Sequence, residues 1–178
     1  TGLIERMGQI VAKEARALGI HQCYAPMIAV VRDVRWGRIE ESFGEDPFLG
    51  GSIGAAYIRG LQGTGSQRFD KDHILACAKH YVADGEPMAG ANGAAMDVSD
   101  YNLHNIHLYP FRMAIIEAKV ASIMPAHHLL NGIPCHANKY ILNDILRGQY
   151  NWNGLVVSDN QDIPRLVNLF KYASDNTD

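Results

Sequence analysis

The pattern that most constrains the fold of this chain is the alternation of short apolar runs with longer segments of helical periodicity. In residues 3–18, for example, Ile4, Met7 and Val11 recur on one helical face. The apolar runs lie at 23–31, 74–82, 120–126 and 155–158, and the helical segments at 3–18, 47–61, 99–118, 138–147 and 163–172. Strands that alternate with helices build parallel βαβ units, and near-continuous apolar strands are typical of a sheet buried on both faces. We therefore predict an α/β fold with about four parallel strands that alternate with helices.

The position of the glycines separates two versions of this architecture. An open nucleotide-binding sheet should carry a glycine fingerprint directly after a strand. The glycine-rich run 60–65 follows a predicted helix instead, so we favour a (β/α)8 TIM-type barrel. A closed barrel needs roughly 200 residues or more, and this chain has 178. The prediction is therefore a partial barrel, a single domain over residues 1–178 that is an excerpt of a larger protein.

Composition argues against several classes of partner. The formal net charge of −3 predicts no binding to nucleic acid or to an anionic membrane surface. No apolar run approaches the ~20 residues that cross a bilayer. The cysteines Cys23, Cys77 and Cys135 are far apart and form no C-x-x-C pair. We expect reduced thiols packed in or near the core, and no zinc site.

Asp159 is the first candidate for chemistry, because it ends the apolar run Gly-Leu-Val-Val-Ser-Asp. In parallel α/β folds, function lies at the carboxyl ends of the strands. The alternative is that Asp159 caps the following helix, although Asp162 is better placed for that role. His127 and His128 also end a run, and with Asp159 they could suggest a metal. Adjacent strand residues diverge, however, and no H-x-H spacing accompanies them, so we predict no metal.

Lys79 and His80 end the run 74–82. A lysine at the end of a buried strand is costly unless it is paired or faces a polar pocket. Neighbouring residues of a regular strand point to opposite faces, so both can reach one pocket only if the strand is distorted there. We predict such a distortion, a cis peptide being one form of it. The alternative is a solvent-directed lysine beside a core histidine.

The loop 32–47 is dense in charge and contains Arg32, Arg35 and Arg38 among several acidic residues. Most of these charges should pair with one another, which leaves at most one arginine to reach a ligand hydroxyl. Trp36 in the same loop is predicted to be a packing anchor.

The ordered set of segments resembles the catalytic barrel of glycoside hydrolase family 3, the β-glucosidase and β-xylosidase group. The resemblance covers nearly the whole chain, and the run R-W-G-R-I-E-E-S-F-G-E-D-P is its most specific part. The matching segments are Arg32 to Pro47, Ala78 to Tyr81, Asn131 to Asn138, Asp144 to Gly148 and Gly154 to Asp159.

The resemblance implies a role for individual residues. Asp159 would be the catalytic nucleophile that forms a glycosyl-enzyme intermediate. The substrate-binding residues would be Arg38, Lys79, His80, His127, Met124 and Asn160, the first three of them hydrogen-bonding the sugar in subsite −1. The chain also departs from the family pattern. Val34 stands where proline is usual, His127 where many members have tyrosine, Ala91 where many have arginine, and Asn160 where an aromatic residue is frequent.

The resemblance implies that an upstream barrel segment and C-terminal domains of the family lie outside the chain, and with them two residues of the family's site. The acid/base is usually a glutamate from a later domain, and a sugar-binding aspartate usually lies upstream. Glu86 is the only resident candidate for an acid. The loop 83–90 has no Asp-x-His pair, which argues against the N-acetylglucosaminidase branch. The resemblance implies a small carbohydrate substrate, no cofactor and no metal. It suggests a secreted or periplasmic protein, with a cytoplasmic location left open and the oligomeric state unassigned.

Three functions follow in order of preference. The first is a retaining β-glycosidase that hydrolyses terminal β-linked sugars, of which this chain is a fragment. The second is a carbohydrate-binding pseudoenzyme, favoured by the departures at His127, Ala91 and Asn160 and disfavoured by the presence of Asp159. The third is an aldolase-like barrel in which Lys79 forms a Schiff base.

Overall fold

Helices and strands alternate along most of the chain, as predicted. The structure is a computed structural model, and it describes residues 1–175. The helices are α1 (Gly2–Ala17), α2 (Pro47–Gln62), α3 (Asp100–Asn102), α4 (Tyr109–Ile116) and α5 (Asp162–Asn168), with π-helical segments at Leu103–His107 and Tyr140–Gln149. The strands are β1 (Cys77–Tyr81), β2 (Ser122–Pro125), β3 (Leu129–Leu130), β4 (Ile133–Pro134) and β5 (Leu155–Val156). Short 3-10 turns lie at Ile39–Glu41, Gly65–Gln67, Met88–Gly90 and Cys135–Ala137.

The central sheet is parallel, with the strand order β1-β2-β5. Cys77 lies opposite Ser122, and Ser122 lies opposite Leu155. Helices connect these strands, so the carboxyl ends of all three meet at one edge, as in part of a (β/α)8 barrel. A short antiparallel hairpin of β3 and β4 follows β2 and was not predicted.

The predicted strand 23–31 is the one element that the structure corrects. It runs parallel to β1, and Cys23 N donates to Leu75 O and Ile28 N to Lys79 O, over 3.0 and 2.8 Å. Its pairing is nevertheless limited to isolated bridges, because Pro26 in its middle has no N–H to donate. Four chain segments therefore run side by side, but the first is not a regular strand.

Side-chain caps set two of the helix starts. The Asp46 carboxylate accepts from Phe48 N and Leu49 N, over 2.8 and 3.1 Å, directly before Pro47 at the first position of α2. Gly63 ends that helix with a φ of +70°, which favours glycine. Ser99 Oγ accepts from Asn102 N over 3.3 Å and caps α3, near the start predicted for the helical segment 99–118.

The main core lies where the sheet meets the helices. Ile58, Leu61 and Ile123 belong to it and are fully buried, and Tyr81 meets Phe111 edge to face with ring centroids 5.0 Å apart. Burial of side chains of this size contributes roughly 1.5–3 kcal/mol each, relative to exposure. This packing fixes the strand ends that carry the candidate site.

A second, smaller core supports the charged loop 32–47. It consists of Met27, Ala29, Val31 and Trp36. Trp36 is 1% exposed, and its indole N–H donates to Asn92 Oδ1 over 3.0 Å. The predicted packing role of Trp36 is confirmed.

Cys23, Cys77 and Cys135 are free thiols. Cys77 and Cys135 are buried and Cys23 is partly buried, as predicted, and burial raises the pKa of Cys77 to about 11. Among residues 1–175, no helix combines the length and apolar character needed to cross a membrane.

Candidate active site

Polar side chains from three strand ends meet at the carboxyl edge of the sheet. Lys79 and His80 lie in β1, His127 follows β2 by two residues, and Asp159 follows β5 by three. Arg38 reaches the same place from the loop that Trp36 anchors. These positions agree with the prediction that the functional residues lie at strand ends.

The backbone at Lys79 and His80 departs from regular β geometry. The Lys79–His80 peptide is cis, as is the Tyr81–Val82 peptide, and the register against β2 shifts between Ala78 and Tyr81. The predicted distortion is therefore confirmed. The His80 side chain is 1% exposed, while Lys79 is partly buried.

His80 lies between two carboxylates. Its Nε2 is 3.4 Å from Asp159 Oδ2, and its Nδ1 is 2.8 Å from Asp84 Oδ2. The Nδ1 contact lacks the alignment of a hydrogen bond, so we treat it as electrostatic. We call His80 and Asp84 the inner pair.

Asp84 is 1% exposed and faces several basic groups. Its oxygens lie 3.7 Å from His128 Nδ1 and 4.0 Å from Arg38 Nη1, in addition to the His80 contact. Burial alone would raise the pKa of Asp84, but His128 and His80 outweigh it and hold that pKa well below its usual range. Sequence reasoning missed Asp84. Its position four residues after His80, in the loop that leaves β1, is the signal that could have found it.

Arg38 is held in place by a bidentate pair with Glu41. Its Nε and Nη2 donate to the two Glu41 oxygens over 2.6 and 2.9 Å. Its Nη2 also lies 3.3 Å from His80 Nε2. The Arg38 hydrogen bond is the main cause that lowers the pKa of Glu41, and the positive charges of Lys79 and His80 add to it.

Of the other two arginines of the loop, Arg35 pairs within the loop, as predicted, whereas Arg32 pairs with a residue outside it. Arg35 donates to Asp33 over 2.6 Å, and Arg32 lies 3.2 Å from Glu86. Glu86, the only resident candidate for an acid, is also 3.3 Å from His107 Nε2. Burial is the main cause that lowers the pKa of His107 to about 4, and the charges of Arg32 and His128 contribute to the same shift.

The side chain of Asp159 is 17% exposed, and the residue is held from three directions, two at its carboxylate and one at its backbone. Oδ2 lies 3.0 Å from His127 Nε2, Oδ1 accepts from Asn160 N over 2.6 Å, and the Asp159 N–H donates to His136 Nε2 over 3.2 Å. Asp159 does not cap the following helix. Gln161 occupies the cap position with a φ of +65° and makes no side-chain cap.

His127 bridges Asp159 to a second aspartate, Asp162. Both Asp162 oxygens lie 2.9 Å from His127 Nδ1, and Arg165 Nη1 donates to Asp162 Oδ1 over 2.7 Å. The hydrogen bond to Asp162 raises the pKa of His127 despite partial burial. Burial of Asp162 opposes the effect of His127, His136 and Arg165, which together lower the pKa of that carboxyl. We call His127 and Asp162 the outer pair.

The predicted capping role of Asp162 is wrong. Asp162 is the first residue of α5, and its carboxylate contacts His127 and Arg165, not the backbone N–H groups of the helix. His136 Nδ1 also lies 3.4 Å from it. Sequence reasoning missed Asp162, Arg165 and His136 as site residues, because each reaches the site only through tertiary packing.

His127 and His128 diverge, as expected, since they contact different carboxylates. The donor atoms of His127, Asp159 and Asp162 nevertheless lie within 4.8 Å of one another, a group of a kind that could hold a metal. Arg165 already places a positive charge in that group.

The two remaining predicted substrate residues occupy different surroundings. Met124 lies in β2 and is 2% exposed. Asn160 is exposed, and its backbone N–H donates to Asp159. A cavity of about 210 Å³ borders the site and is lined by Asn92, Gly93, His127, Arg165 and Leu169. A larger cavity of about 440 Å³ lies beside residues that precede β2 and β5, away from this chemistry.

Comparisons with known proteins agree with one another. Residues 1–177 match the family described as glycosyl hydrolase family 3 N terminal domain. A β-xylosidase of Formosa agariphila is 46% identical over 177 residues, which cover 99% of this chain and 24% of that protein. β-D-Xylosidase 1 of Arabidopsis thaliana is 36% identical over 97% of this chain and 23% of its own length. The chain thus spans about a quarter of the length of these relatives.

Solved structures show the same likeness. A β-glucosidase from Erythrobacter marinus superimposes with a TM-score of 0.93 at 35% identity, over 97% of this chain and 23% of that one. A β-glucosidase from Listeria innocua in complex with glucose gives a TM-score of 0.92 at 34% identity, over 98% of this chain and 24% of that one.

Proposed function

The chain belongs to glycosyl hydrolase family 3, and we propose that it supplies the nucleophile and sugar-binding side chains of a retaining β-glycosidase. The observation that carries the proposal is the position of one carboxylate, Asp159, among basic groups at the strand ends. Its Oδ2 lies 3.0 Å from His127 and 3.4 Å from His80. We further propose that residues 1–178 are one part of a barrel that other segments complete.

In this mechanism, Asp159 attacks the anomeric carbon of a terminal β-linked sugar. The new bond joins an Asp159 oxygen to that carbon, and the glycosidic C–O bond breaks as an acid protonates the leaving oxygen. Water then cleaves the glycosyl ester and restores the carboxylate, with the same group acting as base. We assign the acid/base to a glutamate outside this chain, because Glu86 is paired with Arg32 and lies against His107.

Arg38, Lys79 and His80 are proposed to hold the sugar hydroxyls, His80 through its Nε2, whose contacts with Arg38 and Asp159 at 3.3 and 3.4 Å are longer than the 3.0 Å contact of His127 Nε2 with Asp159. Arg38 is held by Glu41 and contacts His80, so its guanidinium is fixed in advance of binding. Lys79 makes no ion pair with any described residue, which leaves its ammonium available to a hydroxyl oxygen. Two relatives bear the name β-xylosidase, and a solved relative holds glucose. We therefore propose β-xylosides or β-glucosides as the substrate class.

The second candidate is a sugar-binding pseudoenzyme. It is favoured by His127, where the resemblance implies tyrosine, because both His127 ring nitrogens already face carboxylates. The aldolase-like alternative is not carried further, since the family of the chain is that of glycosidases.

Covalent labelling of Asp159 tests the proposal. The whole protein, as its gene encodes it, is incubated with dinitrophenyl 2-deoxy-2-fluoro-β-glucoside or the matching xyloside, and its peptides are mapped by mass spectrometry. A retaining enzyme forms a stable glycosyl adduct on Asp159, and Asp159→Asn abolishes the adduct and turnover. A folded protein that binds the sugar but forms no adduct is the pseudoenzyme.

A further inference from the structure

We propose that His127 and Asp162 act as a positioning pair that orients the Asp159 carboxylate, and that His127 is not a ligand of the sugar. The proposal rests on the function proposed above, because it concerns the same nucleophile. It replaces the substrate-binding role that the sequence resemblance implies for His127.

The first observation is that both ring nitrogens of His127 are occupied. Nε2 lies 3.0 Å from Asp159 Oδ2, and Nδ1 lies 2.9 Å from each oxygen of Asp162. An imidazole has only two polar atoms. His127 therefore has no remaining donor or acceptor for a sugar hydroxyl while these contacts hold.

The second observation is the support of the far end of the pair. The Asp162 side chain is 2% exposed, and Arg165 Nη1 donates to it over 2.7 Å. His136 approaches the same carboxylate to 3.4 Å and accepts from the Asp159 N–H. A buried carboxylate fixed on several sides holds the imidazole ring in one orientation, as an aspartate hydrogen-bonded to a catalytic histidine does.

The contacts also set the protonation state of His127. Both neighbours are carboxylates, whose negative charges favour a proton on each ring nitrogen, and only the imidazolium has two. The charged groups that face the ring are Asp159, Asp162 and Arg165, with His136, His80 and Asp84 nearby. Arg165 Nη1 lies 3.0 Å from His127 Nδ1, and its positive charge disfavours the imidazolium. The negative charges of Asp159 and Asp162 balance the positive charges of Arg165 and the ring.

The geometry gives the pair a direct effect on the nucleophile. His127 Nε2 makes an ion-pair contact with Oδ2 of Asp159 over 3.0 Å, while the Asn160 N–H donates to Oδ1 over 2.6 Å. A cation beside one oxygen and a donor on the other restrict the plane of the carboxylate, so that one oxygen can be presented to the anomeric carbon without a search over rotamers.

The pair makes labelling of Asp159 dependent on pH in a defined direction. Above the pKa of His127, the ring loses one proton. The remaining proton stays on Nδ1, where both oxygens of buried Asp162 lie, and the Nε2 lone pair then faces Asp159 Oδ2. Repulsion between the lone pair and the carboxylate disturbs the orientation, so the rate of labelling should fall on the alkaline side.

The test measures the rate constant of Asp159 labelling from about pH 5 to about pH 9, on either side of an ordinary histidine pKa. It uses the whole protein and the dinitrophenyl 2-deoxy-2-fluoro-glycoside that labels best. That leaving group departs without acid catalysis, so the titration of the acid/base does not enter the profile.

Two variants give opposite changes in the shape of the profile. Asp162→Asn removes the anion that favours the imidazolium, so the alkaline fall moves to lower pH. If it moves by one unit, the rate above both pKa values drops about tenfold while the rate near pH 5 changes little. His127→Gln keeps an N–H donor but cannot titrate, so the alkaline fall disappears.

The controls are Asp144→Asn and His104→Gln, matched in residue type and outside the site. Both should keep the wild-type profile. Profiles of both site variants that keep the wild-type shape and differ only by a constant factor would overturn the positioning role. If Asp162→Asn does not fold, His127→Gln alone decides. A wild-type protein that never labels at Asp159 contradicts the proposed function instead, so the two failures are distinguishable.

Discussion

Two histidine–aspartate pairs flank Asp159, and they differ in how completely their hydrogen bonds are satisfied. In the inner pair, His80 and Asp84 are each 1% exposed, yet His80 Nδ1 and both Asp84 oxygens lack an aligned hydrogen bond among the described residues. In the outer pair, His127 is 15% exposed, and each of its nitrogens has a carboxylate within 3.0 Å. The inner pair is deeper and has no aligned hydrogen bond between its two members, whereas the outer pair is shallower and is joined by hydrogen-bond contacts between His127 Nδ1 and Asp162.

The difference separates two tasks in one site. A buried polar atom without a partner costs about 1–3 kcal/mol of folding free energy. Folded proteins tend to keep such unfavourable features at sites that bind a ligand. The inner pair lies beside Arg38, where the sugar is proposed to bind. The outer pair meets Arg165 and Asp162, groups that support the nucleophile. Five substitutions or conditions test this division, from the largest effect to the smallest.

Asp159→Asn should have the largest effect, because both pairs converge on Asp159 Oδ2. Replacing a nucleophile by an amide should reduce kcat by about 10⁴-fold or more, as removal of a central catalytic group does in other enzymes. Turnover of a dinitrophenyl β-glucoside or β-xyloside by the whole protein measures it, with Asp144→Asn as the matched control. Turnover within tenfold of wild type would assign the chemistry to another residue.

Asp84→Asn should be the most destabilising change in the inner pair. It leaves His80, His128 and Arg38 without the buried anion that they face. The loss of one partner from a buried charge cluster costs roughly 3–5 kcal/mol. Hydrogen exchange of the β1 and β2 amides measures the change within this domain.

The acid dependence of the inner pair has a defined sign. The pKa of Asp84 is held below its ordinary value by His128 and His80 against the effect of burial. Its contribution to stability is therefore present above about pH 3.9 and declines as pH falls below that value. Asp84→Asn should remove this decline of stability at acid pH. If the decline is unchanged, or if the variant loses less than about 1 kcal/mol of unfolding free energy, Asp84 is not the buried anion of the cluster.

Asp162→Asn should destabilise less than Asp84→Asn. Arg165 is 38% exposed and His127 15% exposed, so water can solvate the cations that lose their partner. A loss of about 1–2 kcal/mol is expected for a hydrogen bond to a charged group. The same hydrogen-exchange experiment compares the two variants. If Asp162→Asn lost more unfolding free energy than Asp84→Asn, the outer pair would be the more important of the two for stability, and the division between the pairs would be wrong.

The smallest effect should be the alkaline dependence of stability through His127. Its pKa is raised, chiefly by the hydrogen bond to Asp162. The stability it contributes is fully present below about pH 6.5 and is lost as pH rises through the pKa of the folded state. The loss should stay below about 1 kcal/mol because the ring is partly solvated.

Thermal unfolding of wild type and His127→Gln from about pH 6 to about pH 9 measures the stability that His127 contributes. The wild type should lose stability with rising pH relative to the variant. A difference between the two proteins that does not change with pH would show that His127 does not titrate in this range.

The sequence predicted those features that depend on neighbours along the chain. The helices predicted at 47–61 and 99–118 begin close to the predicted residues, because the caps that Asp46 and Ser99 form span only a few residues. The apolar runs locate the parallel strands, and the positions of Lys79, His80 and Asp159 follow from strand ends. The prediction of a strand at 23–31 was partly wrong, because Pro26 interrupts the pairing of this segment with β1.

What the tertiary structure alone decided is which side chains meet. The contact between His127 and Asp162 joins residues 35 positions apart, and that between Arg38 and His80 joins residues 42 positions apart. Asp162 had the local pattern of a helix cap, but it pairs with a histidine from another strand end. The periodicity of the sequence indicates which residues are buried and which backbone hydrogen bonds are local. It does not indicate how the loops that follow different strands pack against one another, and the site is built from those loops.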